Sequence, residues 1–322
     1  MLYRPLGSSN ISVSAIGFGA WGIGGRTAGA TSYGETDDAV SLRALKTAFD
    51  QGVTFYDTAN VYGDGHSEEL IGEAFCQCRH QVIIATKAGM LPSFSGLDFS
   101  PKAIRASLEG SLKRLETDYV DVLQLHNPSP IDLLHRPDVV GELQQLRREG
   151  KIRAWGFSTK SPDEALQVLA IPGTACLQVN FNLLDWRAVD NGLFAQAAKA
   201  KVAIIARTPL AFGFLTGQIT PDTTFTTGDH RSLWSSAKVD AWVTAANAIF
   251  EAANDGQNPA ERVRTALRFC LSFEAVCAVI PGIMTPAEAV ANAAIGDLKP
   301  LSDEQLKRIK DAYQDHEKTL AG

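Results

Sequence analysis

Thr54-Phe55-Tyr56-Asp57-Thr58-Ala59 is a short apolar run with one carboxylate near its end. Two runs of the same build follow: Val82-Ile83-Ile84-Ala85-Thr86-Lys87 finishes on a lysine, and Val122-Leu123-Gln124-Leu125-His126 on a histidine. Segments this short, and this rich in Val, Ile, Leu and aromatics, are expected to be strands covered on both faces, as in parallel sheets. Working outward, the same texture recurs until eight runs are found, at residues 15–21, 54–58, 82–86, 120–125, 154–157, 177–180, 202–206 and 276–280.

Helical patterns fill the intervals. Residues 37–51 end at Gly52, a glycine placed to stop a helix. Ser100-Pro101 opens another helix with a cap and a proline in its first turn. Ser161-Pro162-Asp163-Glu164 repeats that signature, with Glu164 spaced to complete a capping box, and Thr285-Pro286 opens a further helix. Strands alternating with helices imply parallel pairing through right-handed crossovers. An open doubly wound sheet meets that pattern too, but the count of eight and the polar residues at the strand ends favour closure. The expected fold is α/β: a (β/α)8 TIM barrel, one domain over residues 1–322. Outside the repeat, residues 3–14 read as an N-terminal β-hairpin turning at Ser8-Ser9-Asn10. Residues 211–257 read as an inserted loop and helix after the seventh strand, and residues 302–313 as a last helix.

Composition narrows the function classes. The chain has 322 residues, 45% hydrophobic and 20% charged, with a formal net charge of −6, which disfavours nucleic-acid and anionic-membrane partners. No apolar run reaches membrane-spanning length, and Met1-Leu2-Tyr3-Arg4 does not begin a basic-then-apolar leader. Of five cysteines, Cys76 and Cys78 fall near a helix end, where i and i+2 face apart; Cys176, Cys270 and Cys277 lie in apolar stretches as small core residues. Such sparse thiols fit a reducing cytoplasm better than a disulfide or metal framework.

Gly17-Phe18-Gly19-Ala20-Trp21-Gly22 matches G-x-G-x-x-G after a strand, with Glu35 and Asp37 near the distance of a ribose-binding acid. A dinucleotide fingerprint must open a helix, so that pyrophosphate meets the helix N-terminus. Gly24, Gly25 and Gly29 instead prolong a loop, and no helical pattern starts before about Thr36. A strand running into a loop is the better reading.

The chemistry lies at the strand ends. Taken singly, a strand-end Asp or Lys is usually a solvated terminus, a loop Tyr usually packs, and a strand-end His is usually structural. Three successive strands, however, deliver Asp57, Lys87 and His126 to one C-terminal rim, where barrels build their sites, and Tyr62 follows in the loop Asn60-Val61-Tyr62-Gly63. Hydride addition to a carbonyl needs a proton for the oxygen. A tyrosine is a poor acid at neutral pH unless an ammonium favours its phenolate. A carboxylate keeps that ammonium charged and in place, and a histidine across the pocket can orient the carbonyl. Asp57, Tyr62, Lys87 and His126 supply these four parts; no nucleophile elbow or metal-ligand spacing competes.

On these residues the sequence resembles the aldo-keto reductase superfamily. Phe55-Tyr56-Asp57-Thr58-Ala59-Asn60-Val61-Tyr62-Gly63, followed by Ser67-Glu68-Glu69-Leu70-Ile71-Gly72, is similar to that family's signature. The lysine in Ala85-Thr86-Lys87 and the histidine in Leu125-His126 follow in family order, and the resemblance runs from about Leu6 through Asn292. It implies a catalytic tetrad of Asp57, Tyr62, Lys87 and His126, with Tyr62 as general acid, and NAD(P)H lying extended across the barrel mouth without a Rossmann domain. It further implies that Ser158 and Gln178 meet the nicotinamide carboxamide and that Asn292 lies against the adenine. Thr208-Pro209-Leu210 through Gly217 is similar to the loop that covers the pyrophosphate.

Two positions depart from the family pattern. Where many members stack an aromatic ring on the nicotinamide, this chain has Arg207, whose guanidinium is able both to stack and to anchor phosphate. Members that favour NADPH carry Lys or Arg after the eighth strand, against the 2′-phosphate. Here Val279-Ile280-Pro281-Gly282-Ile283-Met284-Thr285-Pro286-Ala287-Glu288 holds no cation, with Gly282 counted among the cofactor contacts. Met284 stands where relatives often have arginine, Glu288 would repel a dianion, and only the N–H groups near Thr285 would attract one. NADPH is the family default, but this segment makes NADH use the expectation.

The implied function is an NAD(P)(H)-dependent oxidoreductase that reduces an aldehyde or ketone to an alcohol, or the reverse, on a small-molecule carbonyl or alcohol substrate. Two other readings share the residues. One is a sugar or polyol dehydrogenase working oxidatively. The other is a regulatory cofactor-binding protein resembling potassium-channel β subunits, which the complete tetrad disfavours. Trp21, Phe94 and Phe99 lie in loops able to line a pocket or simply to pack. The chain ends soon after its last helix, so an open pocket without a long C-terminal specificity loop is expected.

Overall fold

A computed structural model describes residues 1–27, 32–130, 133, 135–254, 256 and 258–320. Gly29, and residues 255 and 257 of the expected insertion, lie outside the described residues. A short antiparallel hairpin, β1 (Tyr3–Pro5) and β2 (Ser12–Ser14), precedes the main sheet. That sheet holds eight strands: β3 (Phe18–Gly19), β4 (Phe55–Asp57), β5 (Ile83–Ala88), β6 (Val120–His126), β7 (Ile152–Ser158), β8 (Cys176–Asn180), β9 (Ala203–Arg207) and β10 (Val276–Ile280). Each pairs in parallel with the next in sequence, as strand–helix alternation requires.

The first and last strands meet, making the sheet a barrel. Gly17 N–H donates to Val279 O at 2.8 Å, Val279 N–H to Ala15 O at 2.9 Å, and Gly19 N–H to Pro281 O at 2.9 Å. Parallel bridges join Ile16 to Val279 and Gly19 to Gly282. A Cβ on Gly19 would stand 2.8 Å from Pro281 O, so a side chain there would force the seam apart. The glycines of the G-x-G-x-x-G run therefore close the barrel; among the described residues no α-helix begins before Asp38. The first strand, expected over 15–21, shrinks to Phe18–Gly19 with isolated bridges beside it.

Alternate side chains of each strand point into the barrel. One layer is apolar: Phe55, Ala85, Val122, Ala154, Cys176 and Ala203 pack with Leu6, Ile11 and Val13 of the hairpin, which plugs the N-terminal end. Two residues further along the strands come Asp57, Lys87, Gln124 and Gln178, all buried. The pleat thus converts one periodicity into an apolar floor and a polar ceiling.

Helices wrap the barrel. Asp37, Ser100, Ser161 and Thr285 cap four of them, each side chain accepting a backbone N–H one turn on. At Ser161 the expected capping box is only half made, because the Glu164 carboxylate accepts from Lys160 N–H instead. The complete box is at Thr285 and Glu288. The insertion forms short turns at Ala211–Thr216 and His230–Leu233 before the helix Ser236–Ala253, and the last helix runs Asp303–Leu320. Cys176, Cys270 and Cys277 are buried. Among the described residues no helix is long and apolar enough to cross a membrane.

Candidate active site

The four strand-end and loop residues converge. Lys87 Nζ donates to Asp57 Oδ1 at 2.6 Å and to Thr58 O at 2.7 Å, and both side chains are buried. Lys87 Nζ stands 4.8 Å from the centre of the Tyr62 ring. The Tyr62 and His126 rings meet edge to face, centroids 6.2 Å apart. Asp57, Tyr62 and His126 line one cavity of about 650 Å³ at the C-terminal mouth, with Lys87 immediately behind.

Glycine geometry places Tyr62. Gly63 has φ +63°, and a Cβ on it would lie 2.1 Å from Gly24 O. The backbone after β3 therefore packs directly on the tyrosine loop, which only glycine at both places permits. Asp64 then ties this loop to the one after β5: its carboxylate accepts from Ser93 N–H at 2.6 Å and from the Ser93 hydroxyl at 2.9 Å.

Charge in this cluster is tightly arranged. Burial pushes the Lys87 pKa down, but the Asp57 carboxylate and Tyr62 outweigh it and hold the ammonium above its ordinary pKa. Burial pushes the His126 imidazole well below its ordinary value, and Lys87 and Arg207 push it further. At neutral pH His126 is uncharged, able to donate one N–H. Because the folded-state pKa lies below the unfolded one near 6.5, the unfolded chain binds more protons on acidification. The stability contributed by neutral His126 is complete above pH 6.5 and lost as pH falls below it, at up to about 1.4 kcal/mol per pH unit. His126→Gln should therefore flatten the fall in melting temperature between pH 7 and pH 5; parallel slopes for the two proteins would refute the assignment.

Of the residues expected to meet a cofactor, Gln178, Arg207, Thr208, Leu210 and Gly282 line the same cavity, as do Met284 and Glu288. Ser158, Gly217 and Asn292 are not on its wall. Ser158 is buried behind Gln178, its hydroxyl donating to Gln178 Oε1 at 3.3 Å; Asn292 is buried in the helix Pro286–Ala293; Gly217 lies between the lining residues Thr216 and Gln218. Trp21 and Phe94 line the cavity, whereas Phe99 packs over Gly89.

Gln178 also has a partner its sequence did not suggest: Nε2 donates to Asp57 Oδ2 at 2.7 Å, beside Gln124 Nε2 at 3.0 Å. Two amides and an ammonium thus hold one carboxylate. Gln124 was visible in its run, and the period-2 pleat that turns His126 inward turns Gln124 inward too. Arg231 on the cavity wall was not legible, because it comes from the irregular insertion. Asp229 accepts from it at 2.6 Å and 3.0 Å, and Tyr33 lies under its guanidinium at 4.8 Å. His230 N–H donates to Ser32 O at 3.0 Å, stitching this turn to the loop after β3.

Comparison with known proteins agrees with this architecture. The aldo/keto reductase family profile matches residues 15–314. Aldo-keto reductase YhdN of Bacillus subtilis (strain 168) is 35% identical over 238 residues, covering 72% of this chain and 69% of that one. The NADH-specific methylglyoxal reductase of Escherichia coli (strain K12) is 32% identical over 232 residues, 68% of this chain and 70% of that one. The solved structure of glycerol dehydrogenase AKR11B4 from Gluconobacter oxydans, 29% identical, superposes with a TM-score of 0.80 over 98% of this chain and 95% of its own. A profile spanning nearly the whole chain, on a closed barrel with Asp, Tyr, Lys and His at its mouth, makes this protein a member of the aldo/keto reductase family.

Proposed function

We propose that the protein is a nicotinamide-dependent carbonyl reductase in which Tyr62 gives a proton to the substrate oxygen. The observation that carries this reading is the chain of contacts from Asp57 through Lys87 to Tyr62, beside a neutral His126, on one cavity. NAD(P)H, when bound, supplies the hydride. Tyr62 protonates the oxygen that becomes negative, and Lys87 stabilises the phenolate left behind. Asp57, held by Gln124 and Gln178, keeps Lys87 charged and fixed. His126 orients the carbonyl through its N–H without competing as a strong acid. The cavity wall suits a long, flat cofactor: a Cβ on Gly282 would meet nothing within 4 Å, leaving room for a ligand along that strand end, and Arg207 Nε is buried without a partner. Incubation with NADH or NADPH and a panel of aldehydes and ketones tests the reading, with consumption of reduced cofactor expected. Retained cofactor binding without any turnover would favour the regulatory alternative.

The same geometry favours NADH. Two N–H groups just ahead of the helix after β10 are already used, because Glu288 Oε2 accepts from Met284 N–H at 2.8 Å and from Thr285 N–H at 3.0 Å. A 2′-phosphate would have to displace that carboxylate while being repelled by it. Of the two arginines on the cavity wall, Arg231 is committed to Asp229. The methylglyoxal reductase relative is by name NADH-specific. We expect Met284→Arg to raise kcat/KM with NADPH on the order of tenfold, about 1.4 kcal/mol, while leaving NADH kinetics nearly unchanged. A wild-type preference for NADPH of a hundredfold or more, about 2.7 kcal/mol, would show that the clamp is built elsewhere.

A further inference from the structure

Arg207 is an unusual group to find on this wall. It ends β9, points inward by the pleat, and donates from Nη2 to Thr159 O at 3.0 Å, so that its side chain leans across β8 toward the end of β7. No carboxylate among the described residues lies within salt-bridge distance of it, and its Nε is buried without a partner. Among the described residues at the cavity, Lys87 is matched by Asp57 and Arg231 by Asp229, and His126 is neutral, which leaves Arg207 as the cation without a carboxylate partner.

Its position relative to the chemistry follows from triangulation. The substrate oxygen must lie where Tyr62 and His126 both reach it. The hydride-donating carbon must then approach the carbonyl carbon within roughly 3–3.5 Å. Arg207 lines the same cavity as Tyr62 and His126, and the Thr159 carbonyl it donates to directly follows Ser158, the β7 partner of His126, so a nicotinamide ring delivering hydride there lies beside the guanidinium.

We propose that Arg207 makes the site discriminate between the two oxidation states of the cofactor, binding the reduced form and repelling the oxidised one. The inference rests on the nicotinamide-dependent reading above. The reduced ring is neutral and electron-rich, a good partner for a stacked guanidinium. The oxidised ring is itself a cation, and two like charges at contact distance in a half-buried site repel strongly. The bound couple is consequently shifted toward its reduced form, by about 30 mV for each tenfold difference in affinity. In a mixed cofactor pool the protein loads the hydride donor and releases the spent form readily. That suits carbonyl reduction and disfavours the oxidative dehydrogenase reading.

Dissociation constants of NAD+ and NADH, measured by fluorescence titration without substrate, test this. For the wild type NADH should bind at least tenfold more tightly than NAD+. Arg207→Gln should bring the ratio close to one by strengthening NAD+ binding and weakening NADH binding, and Arg207→Lys, which keeps the charge, should retain most of it. Equal weakening of both forms in Arg207→Gln would mean that the guanidinium anchors pyrophosphate, and the proposal would be wrong. Unchanged constants, with a raised KM confined to acidic substrates, would make Arg207 a carboxylate anchor and overturn it equally. If the Gln variant does not fold, a wild-type ratio near one is sufficient to reject the idea. Failure of the wild type to bind either form would instead reject the nicotinamide-dependent reading itself.

Discussion

Tyr62→Phe should lower kcat by a factor of about 10²–10⁴, the usual loss when a positioned general acid is removed. Phenylalanine keeps the ring that packs near Lys87 and His126, so the shape of the site and the dissociation constant for reduced cofactor should hardly change. Only the proton and the oxygen that becomes phenolate are lost. Because that oxygen matters most as charge develops, kcat and kcat/KM should fall together. The rival donor is His126. Its buried imidazole is neutral, with Lys87 and Arg207 opposing any added positive charge, so it is better fitted to orient a carbonyl than to carry the extra proton that a donor would have to give up. If His126 were the donor after all, Tyr62→Phe would keep near-normal rates and His126→Gln would abolish them. Steady-state kinetics of the two variants at pH 7 separate the assignments.

What the sequence could and could not reveal divides along a physical line. Residues fixed by the strand pleat were legible, because a period of two is written directly in the chain: Asp57, Lys87 and His126 sit at the strand ends where their runs place them. The same rule would have found Gln124, whose inward direction follows from that of His126. The glycines of residues 17–22 were readable only as a negative. That they do not open a helix follows from their neighbours, but that Gly17 and Gly19 form the closing seam depends on β10, more than 250 residues away in sequence. The Glu288 contact with Met284 and Thr285 was half legible: the capping box is a local spacing rule, but spacing alone does not show that the same carboxylate also takes the Met284 N–H. Arg231 and Tyr33 were not legible at all. They reach the cavity on irregular loops joined by a long-range hydrogen bond between His230 and Ser32, and no periodicity encodes that meeting.

The ion pair behind Tyr62 should show the largest effect on stability. Lys87 and Asp57 are both buried, and removing one partner of such a pair typically costs about 3–5 kcal/mol because a lone charge remains. Lys87→Met should therefore destabilise the fold as well as abolish most turnover. Here the stranded carboxylate keeps two amide donors, Gln124 at 3.0 Å and Gln178 at 2.7 Å, which argues for the lower end of that range. Asp57→Asn strands the opposite charge. The ammonium then keeps the Thr58 carbonyl, Tyr62 and the neutral side-chain oxygen but no carboxylate, so this variant should be the less stable of the two. Combining them removes both charges, and the double variant Asp57→Asn/Lys87→Met should recover much of the lost stability while remaining inactive, because nothing is left to stabilise the Tyr62 phenolate. Denaturant titration of the four proteins closes the cycle. A coupling energy of about 0.5–3 kcal/mol is expected for contacting residues. Simple additivity of the two losses would mean that Asp57 and Lys87 act independently, and would remove the physical basis for a lysine held charged by aspartate beside the proton donor.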